Sequence, residues 1–126
     1  MDTSDGKDLA VAAESLYLVN LMLLPGLAFA LLLALFLWRR KDAPPLAANH
    51  LAQTIGVSVT GGILLVVVML LIALLGGFDS GSTWVVLVLY FTFIHSTLIF
   101  MGVFGLVRAL SGQHFRYPLL GRLFRA

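Results

Sequence analysis

The 126 residues are 60% hydrophobic and 11% charged, with a formal net charge of +2 and no cysteine. A mean hydropathy of +1.03 is more apolar surface than a soluble domain of this size can hide, so lipid must be the solvent for most of the chain. The missing thiols exclude disulfide frameworks, thiolate metal sites and cysteine nucleophiles. Eight Lys and Arg, dispersed along the chain, give nucleic acid no face to bind.

Residues 1–15 carry Asp2, Asp5, Asp8 and Glu14 against Lys7, the opposite of the positive start of a secretory signal. They read as a retained, exposed acidic segment. A transmembrane domain over residues 16–110 follows. Its first passage, about 16–38, reaches about 34 Å as a helix, enough for a hydrocarbon core. Pro25-Gly26 interrupts it, because proline removes a helical hydrogen bond and clashes with the preceding turn, so this passage is kinked or broken there.

In the next loop, Pro44-Pro45 forces an extended turn that returns the chain to the membrane without a long excursion. Asn49 is placed to cap the second helix, and Asp42 to pair with Arg116 or Arg108. The second passage, about 51–75, changes from "LAQTIGVSVTGG" to the uniformly apolar "ILLVVVMLLIALL". Its first half is expected to face protein and its second half lipid. "GGFDSGS" forms a short turn, and the third passage, about 84–107, opens at a tryptophan suited to the membrane boundary.

In this three-passage, all-α arrangement, Arg39, Arg40, Lys41, Arg108, Arg116, Arg122 and Arg125 share one side. The positive-inside rule makes that side the cytoplasm. The expected orientation is therefore N-out and C-in, in a bacterial cytoplasmic (inner) membrane. Residues 111–126 read as a basic interfacial tail, with Gly112 as a helix C-cap, Phe115 and Tyr117 as interfacial rings, Pro118 as a stop and the arginines near anionic headgroups.

Two of these cytoplasmic stretches, "WRRKDAPPLAANH" and "ALSGQHFRYP", together resemble a family. It is a group of small bacterial membrane proteins of unknown function related to the Tic-twenty subunit of the chloroplast inner-envelope translocon. The matching residues are Asp42, Pro45 and His50 in the first stretch and Ala109, Gly112, Phe115, Arg116, Tyr117 and Pro118 in the second. The resemblance covers about residues 25 to 120, and it suggests a multi-spanning helical protein that is a transport or translocation component.

Within the third passage, His95 lies beside Thr92, Ser96 and Thr97, at a depth where an ionisable residue is expensive and marks a functional hypothesis. One reading makes it part of a proton or ion path or a polar contact across a helix interface. The other makes it a neutral imidazole that bonds a hydroxyl or a freed carbonyl and fixes the bundle. His95, Leu98, Gly102, Gly105 and Ala109 form a stripe of mostly small side chains on which another helix, expected to be a partner's, can pack closely.

No metal site is expected from His50, His95 and His114, because His95 lies several turns deeper than the other two and no carboxylate completes the set. Nor does the chain show paired membrane carboxylates, a phosphate loop or a nucleophile with its base. The expectation is a protein that is not an enzyme and has no cofactor: an accessory or scaffold subunit of a larger inner-membrane complex. Its expected partners are membrane lipids, other subunits or copies of itself, and no nucleic acid. Arg39, Arg40, Lys41 and Arg108 are the expected headgroup contacts. The alternative is a transport or translocation component that uses Gln53, Thr54, Ser58, Thr60, Thr92 and His95 around a shared cavity.

Overall fold

A computed structural model describes residues 6–118. Among them all regular structure is helical: α1 (Lys7–Met22), α2 (Leu27–Arg39), α3 (Pro45–Gly62), a π-helical turn (Ile63–Val67), α4 (Val68–Gly76) and α5 (Gly81–Leu110). The expected tail residues Arg122 and Arg125 lie outside the described residues.

The helix starts at Lys7 rather than near Leu16. The alanine-rich stretch before Leu16 favours helix, and its Ala10, Ala13 and Glu14 are buried together with Tyr17. Residues 7–14 are therefore packed structure, in contrast to the exposed segment expected over residues 1–15. Ala10 packs with Leu46 and Ala109, Tyr17 donates to the Leu98 carbonyl, and His95 meets the Leu21 carbonyl. These pairs run α1 antiparallel to α5, from the end of α5 at Ala109 to its middle at His95.

At that depth the chain turns back. Pro25 has no N–H, Gly26 takes φ +87°, and the Asn20 side-chain oxygen accepts from Gly26 N at 2.7 Å and Phe29 N at 3.1 Å. Asn20 thereby satisfies orphan donors at the start of α2. α2 returns to the end from which α1 set out, where Gly6 lies against Pro44 and Ala47. The interruption is a reversal of direction, and α1–α2 is a hairpin reaching about half of the depth of α5.

This changes the topology expected from sequence. Two helices are long and apolar enough to cross a membrane, Pro45–Gly76 and Gly81–Leu110, where three passages were expected. Gly6 and the Gly112–Tyr117 tail lie at one end of the bundle, an arrangement that does not bear out three passages with an N-out, C-in orientation. An apolar run of 23 residues spans only if it stays straight, and here it folds in half.

Pro45 starts α3 at the first helical position, where its fixed φ fits and its missing N–H leaves no bond unmade. Asn49 is therefore inside the helix and is not its cap. Ten residues of α3, from Leu46 to Gly61, are buried, whereas α4 buries only Ala73; the first half packs against the rest of the chain, as its composition suggested, and the second is mostly exposed. Between them the π-turn follows Gly61-Gly62, and the Tyr90 hydroxyl donates to its Leu64 carbonyl at 2.8 Å. α5 ends in paired backbone bonds, Gln113 N to Arg108 O and Gly112 N to Ala109 O. Gly112 takes the φ of +70° that this ending requires.

Candidate functional site

Two places concentrate polar groups inside this apolar bundle. The first lies where α1, α3 and the tail after α5 converge. Glu14, from the third turn of α1, places Oε2 2.5 Å from His50 Nδ1, and both side chains are fully buried. His50 Nε2 donates to the Gln113 carbonyl at 2.8 Å, and the Tyr117 hydroxyl donates to Glu14 Oε1 at 2.5 Å. A carbonyl can only accept, so Nε2 carries a proton, and Glu14 and His50 hold one further proton between Oε2 and Nδ1.

Around this core the tail is fastened by its backbone. Asn49 donates to the Phe115 carbonyl and accepts from Phe115 N at 3.0 and 2.8 Å, and Gln53 accepts from Tyr117 N at 3.0 Å. The Tyr117 ring meets Tyr17 edge-on at 5.5 Å and Phe115 at 4.9 Å. Burial, and then the charge of Glu14, push the Tyr117 phenol well above its usual range. The phenol is held as a neutral donor. With Glu14 and His50 at 0% exposure, this cluster joins three segments of chain.

Gly105 makes room for the carboxylate: a Cβ there would fall 2.4 Å from Glu14 Oε1, and one at Gly102 would fall 2.6 Å from the Tyr17 ring. The stripe of His95, Leu98, Gly102, Gly105 and Ala109 is thus filled by α1 of the same chain. It was expected to receive a partner, and the correction follows from the hairpin, which brings α1 onto the face the small residues leave open.

The second place is a cavity of about 670 Å³ at mid-depth. The hairpin tip, the lower part of α3, the π-turn and α5 form its walls, including Asn20, Phe29, Ser58, Phe91 and His95. His95 donates Nε2–H to Leu21 O at 2.8 Å, and its ring stacks on Phe91 at 4.8 Å. Leu21 O is the carbonyl whose helical partner would have been the N–H of residue 25, which proline lacks. Ser58 Oγ is buried on this wall with no hydrogen-bond partner among the described residues.

The remaining residues singled out by sequence are dispersed. Asp42 pairs with Arg39 at 3.1 Å, three residues away, rather than with Arg116 or Arg108; Arg39 also lies over the Trp38 ring at 5.9 Å. Arg40, Lys41, Arg108, Arg116 and Pro118 are exposed at the same end of the bundle. Of the residues proposed to line one transport cavity, Ser58 and His95 do so. Gln53 faces the tail, while Thr54 and Thr60 bond back to carbonyls of α3. Among the described residues no group of three or more His, Asp or Glu side chains could hold a metal ion.

Glu14, Tyr17 and Gln113 were not singled out as site residues by sequence. A signal existed: Ala10, Ala13, Glu14 and Tyr17 recur at helical spacing ahead of the apolar run, which places the carboxylate on the buried face of one helix.

A protein-family model matches residues 6–124, nearly the whole chain. The chain belongs to the MamF/MmsF family. The family is described as that of magnetosome magnetite crystal formation proteins. This overturns the resemblance to the Tic-twenty-related group. The two short stretches behind that resemblance contain a proline-started helix, a glycine-terminated helix and an aromatic-basic tail, which serve the ends of membrane helices in general. No curated protein and no solved structure matches the chain. Membership of MamF/MmsF, with two helices of spanning length, makes this a bacterial membrane protein.

Proposed function

We propose that this protein is a non-enzymatic accessory component of the magnetosome membrane that acts in magnetite crystal formation. The observation that carries the reading is the family match over residues 6–124. The fold supports the accessory part of it: the buried Glu14–His50–Tyr117 cluster fastens the tail after α5 to α1 and α3. In this reading the helices Pro45–Gly76 and Gly81–Leu110 cross the membrane, and the α1–α2 hairpin enters it from the side that carries the tail. Arg39, Arg40, Lys41, Arg108 and Arg116 make that side cytoplasmic by the positive-inside rule. The short turn at Phe78-Asp79 faces the opposite compartment, and lateral contacts run through the lipid-facing surfaces of α4 and α5 to other subunits or to copies of this chain.

The test is deletion of the gene in its magnetosome-forming host, with electron microscopy of the crystals and complementation by the intact chain. Smaller or misshapen crystals, restored on complementation, are expected. Crystals of unchanged size, shape and number in the deletion strain overturn the proposal.

A further inference from the structure

The two halves of the bundle differ in width. Among the described residues, the half that carries the tail holds α1, α2, α3 and the end of α5, whereas the opposite half holds the π-turn with α4 and the first part of α5. On the tail side α1 lies between α3 and α5: Glu14 bonds His50 of α3, Tyr17 bonds the Leu98 carbonyl of α5, and Gly102 and Gly105 face the Tyr17 and Glu14 side chains. On the other side the two long helices meet directly. Tyr90 of α5 reaches the Leu64 carbonyl, and a Cβ at Gly76 would collide with the Thr83 side chain.

The extra helices of the wide half belong in lipid rather than in water. Met22, Leu23, Leu24, Leu27 and Leu31 are exposed around the hairpin tip, a contiguous apolar surface that water would solvate poorly. Arg40 and Lys41 stand at the other end of α2, where headgroups can meet them. With 16 residues in α1 and 13 in α2, the hairpin is about 20–24 Å long, about half of a bilayer that measures about 40–45 Å with its headgroups. A helix about 10 Å across has a section of about 80 Å², so two helices more in one leaflet than in the other amount to about 160 Å². The bonds of Glu14, Tyr17 and Asn20 hold the hairpin in place. A close-packed protein interior yields less than fluid acyl chains do, so the lipid adapts to the protein.

We infer that this protein is a wedge that favours curved membrane, with the leaflet on the tail side convex. What it recognises is the shape of a lipid surface rather than any one headgroup. On a membrane that bulges toward the tail side, the convex leaflet offers the area that the hairpin needs. The chain therefore gathers there and, where it is dense, bends the bilayer in the same sense; the difference in affinity between curved and flat lipid drives both effects. The inference rests on the membrane arrangement proposed above, in which the hairpin enters from the tail side, and not on the role in crystal formation.

Deleting the hairpin would strip α3 and α5 of their packing, so the test keeps the full chain and uses its orientation. The chain has no cysteine. Lys41→Cys and Asp79→Cys, both at exposed positions, are reconstituted separately into giant vesicles and labelled from outside with a membrane-impermeant thiol dye. The dye then marks molecules with the tail side outward in the first variant and inward in the second. A thin tube pulled from the vesicle has a convex outer leaflet. Dye per lipid in the tube, relative to the parent vesicle, is expected to rise severalfold for Lys41→Cys and to fall below one for Asp79→Cys. Equal ratios for the two variants, whether near one or raised alike, or the reverse order, overturn the inference. Asp8→Cys is expected to follow Lys41→Cys. If it follows Asp79→Cys instead, the first apolar run spans the membrane, and the arrangement on which the wedge rests fails together with it.

Discussion

His95 donates a hydrogen bond to the Leu21 carbonyl, the acceptor that Pro25 leaves without a helical donor. A break in one helix and an ionisable residue in another thus meet each other's needs. His95→Leu should leave that carbonyl unpaired inside the bundle and lower stability by about 1–3 kcal/mol. His95→Gln, which keeps a donor, should recover part of the loss. Thermal unfolding in mild detergent, followed by helical circular dichroism, measures both, and equal stability of His95→Leu and the parent protein would refute the role.

The half-depth hairpin makes a topological prediction. The chain has no cysteine, so single cysteines can be introduced without background. Asp8→Cys and Lys41→Cys should react with a membrane-impermeant thiol reagent from the same side of sealed vesicles, and Asp79→Cys from the other. If Asp8→Cys and Lys41→Cys label from opposite sides, the first apolar run spans after all.

The tail is fixed by Tyr117, whose hydroxyl reaches Glu14 while its backbone N–H reaches Gln53. Tyr117→Phe removes the hydroxyl and keeps the ring, leaving a buried carboxylate oxygen short of a donor at about 1–3 kcal/mol. Limited trypsin digestion at Arg116 should accelerate in this variant. Glu14→Gln should loosen the same tail more, because it also disturbs the contact with His50. Digestion at the parent rate in both variants would disprove the fastening.

Two glycines in similar helical settings should respond in opposite ways. Gly105→Ala drives a methyl group to 2.4 Å from the Glu14 carboxylate and should destabilise the bundle by several kcal/mol. Gly62→Ala meets open space and should be neutral or stabilising by up to about 1 kcal/mol, since alanine favours helix. The same thermal unfolding experiment decides it.

The Tyr117 phenol sets an alkaline limit. Its pKa in the folded protein is raised above the ordinary 10.0 by burial and by Glu14, so folding favours the protonated form. That contribution is complete below pH 10 and fades as pH rises beyond it, because the unfolded chain then releases a proton that the folded one retains. Melting temperature should fall above pH 10, and the fall should be shallower in Tyr117→Phe.

Much of the architecture follows from local sequence. The apolar runs require helices in lipid, Pro25-Gly26 requires an interruption, Pro45 suits a helix start and Gly112 a helix end, because each acts through bonds to residues a few positions away. The change from polar and small residues to uniformly apolar ones within 45–76 likewise marks which half meets protein. His95 is legible as a group in need of a partner, and the stripe from Leu98 to Ala109 as a surface for close packing, but neither names what packs there.

What the tertiary structure alone decided is the direction of the chain after Pro25. Proline states that one hydrogen bond is missing, and a kink, a break and a reversal all satisfy that condition. The choice is made by Asn20 bonding Gly26 and Phe29 and by α1 filling the groove that Gly102 and Gly105 leave on α5. That choice carried the N-terminal segment to the same end as the tail and brought Glu14 to His50 and Tyr117 across 36 and 103 residues. Contacts at such separations leave no local signal of who meets whom: the spacing of Ala10, Ala13, Glu14 and Tyr17 puts Glu14 on a buried helix face but does not name His50 or Tyr117 as its partners.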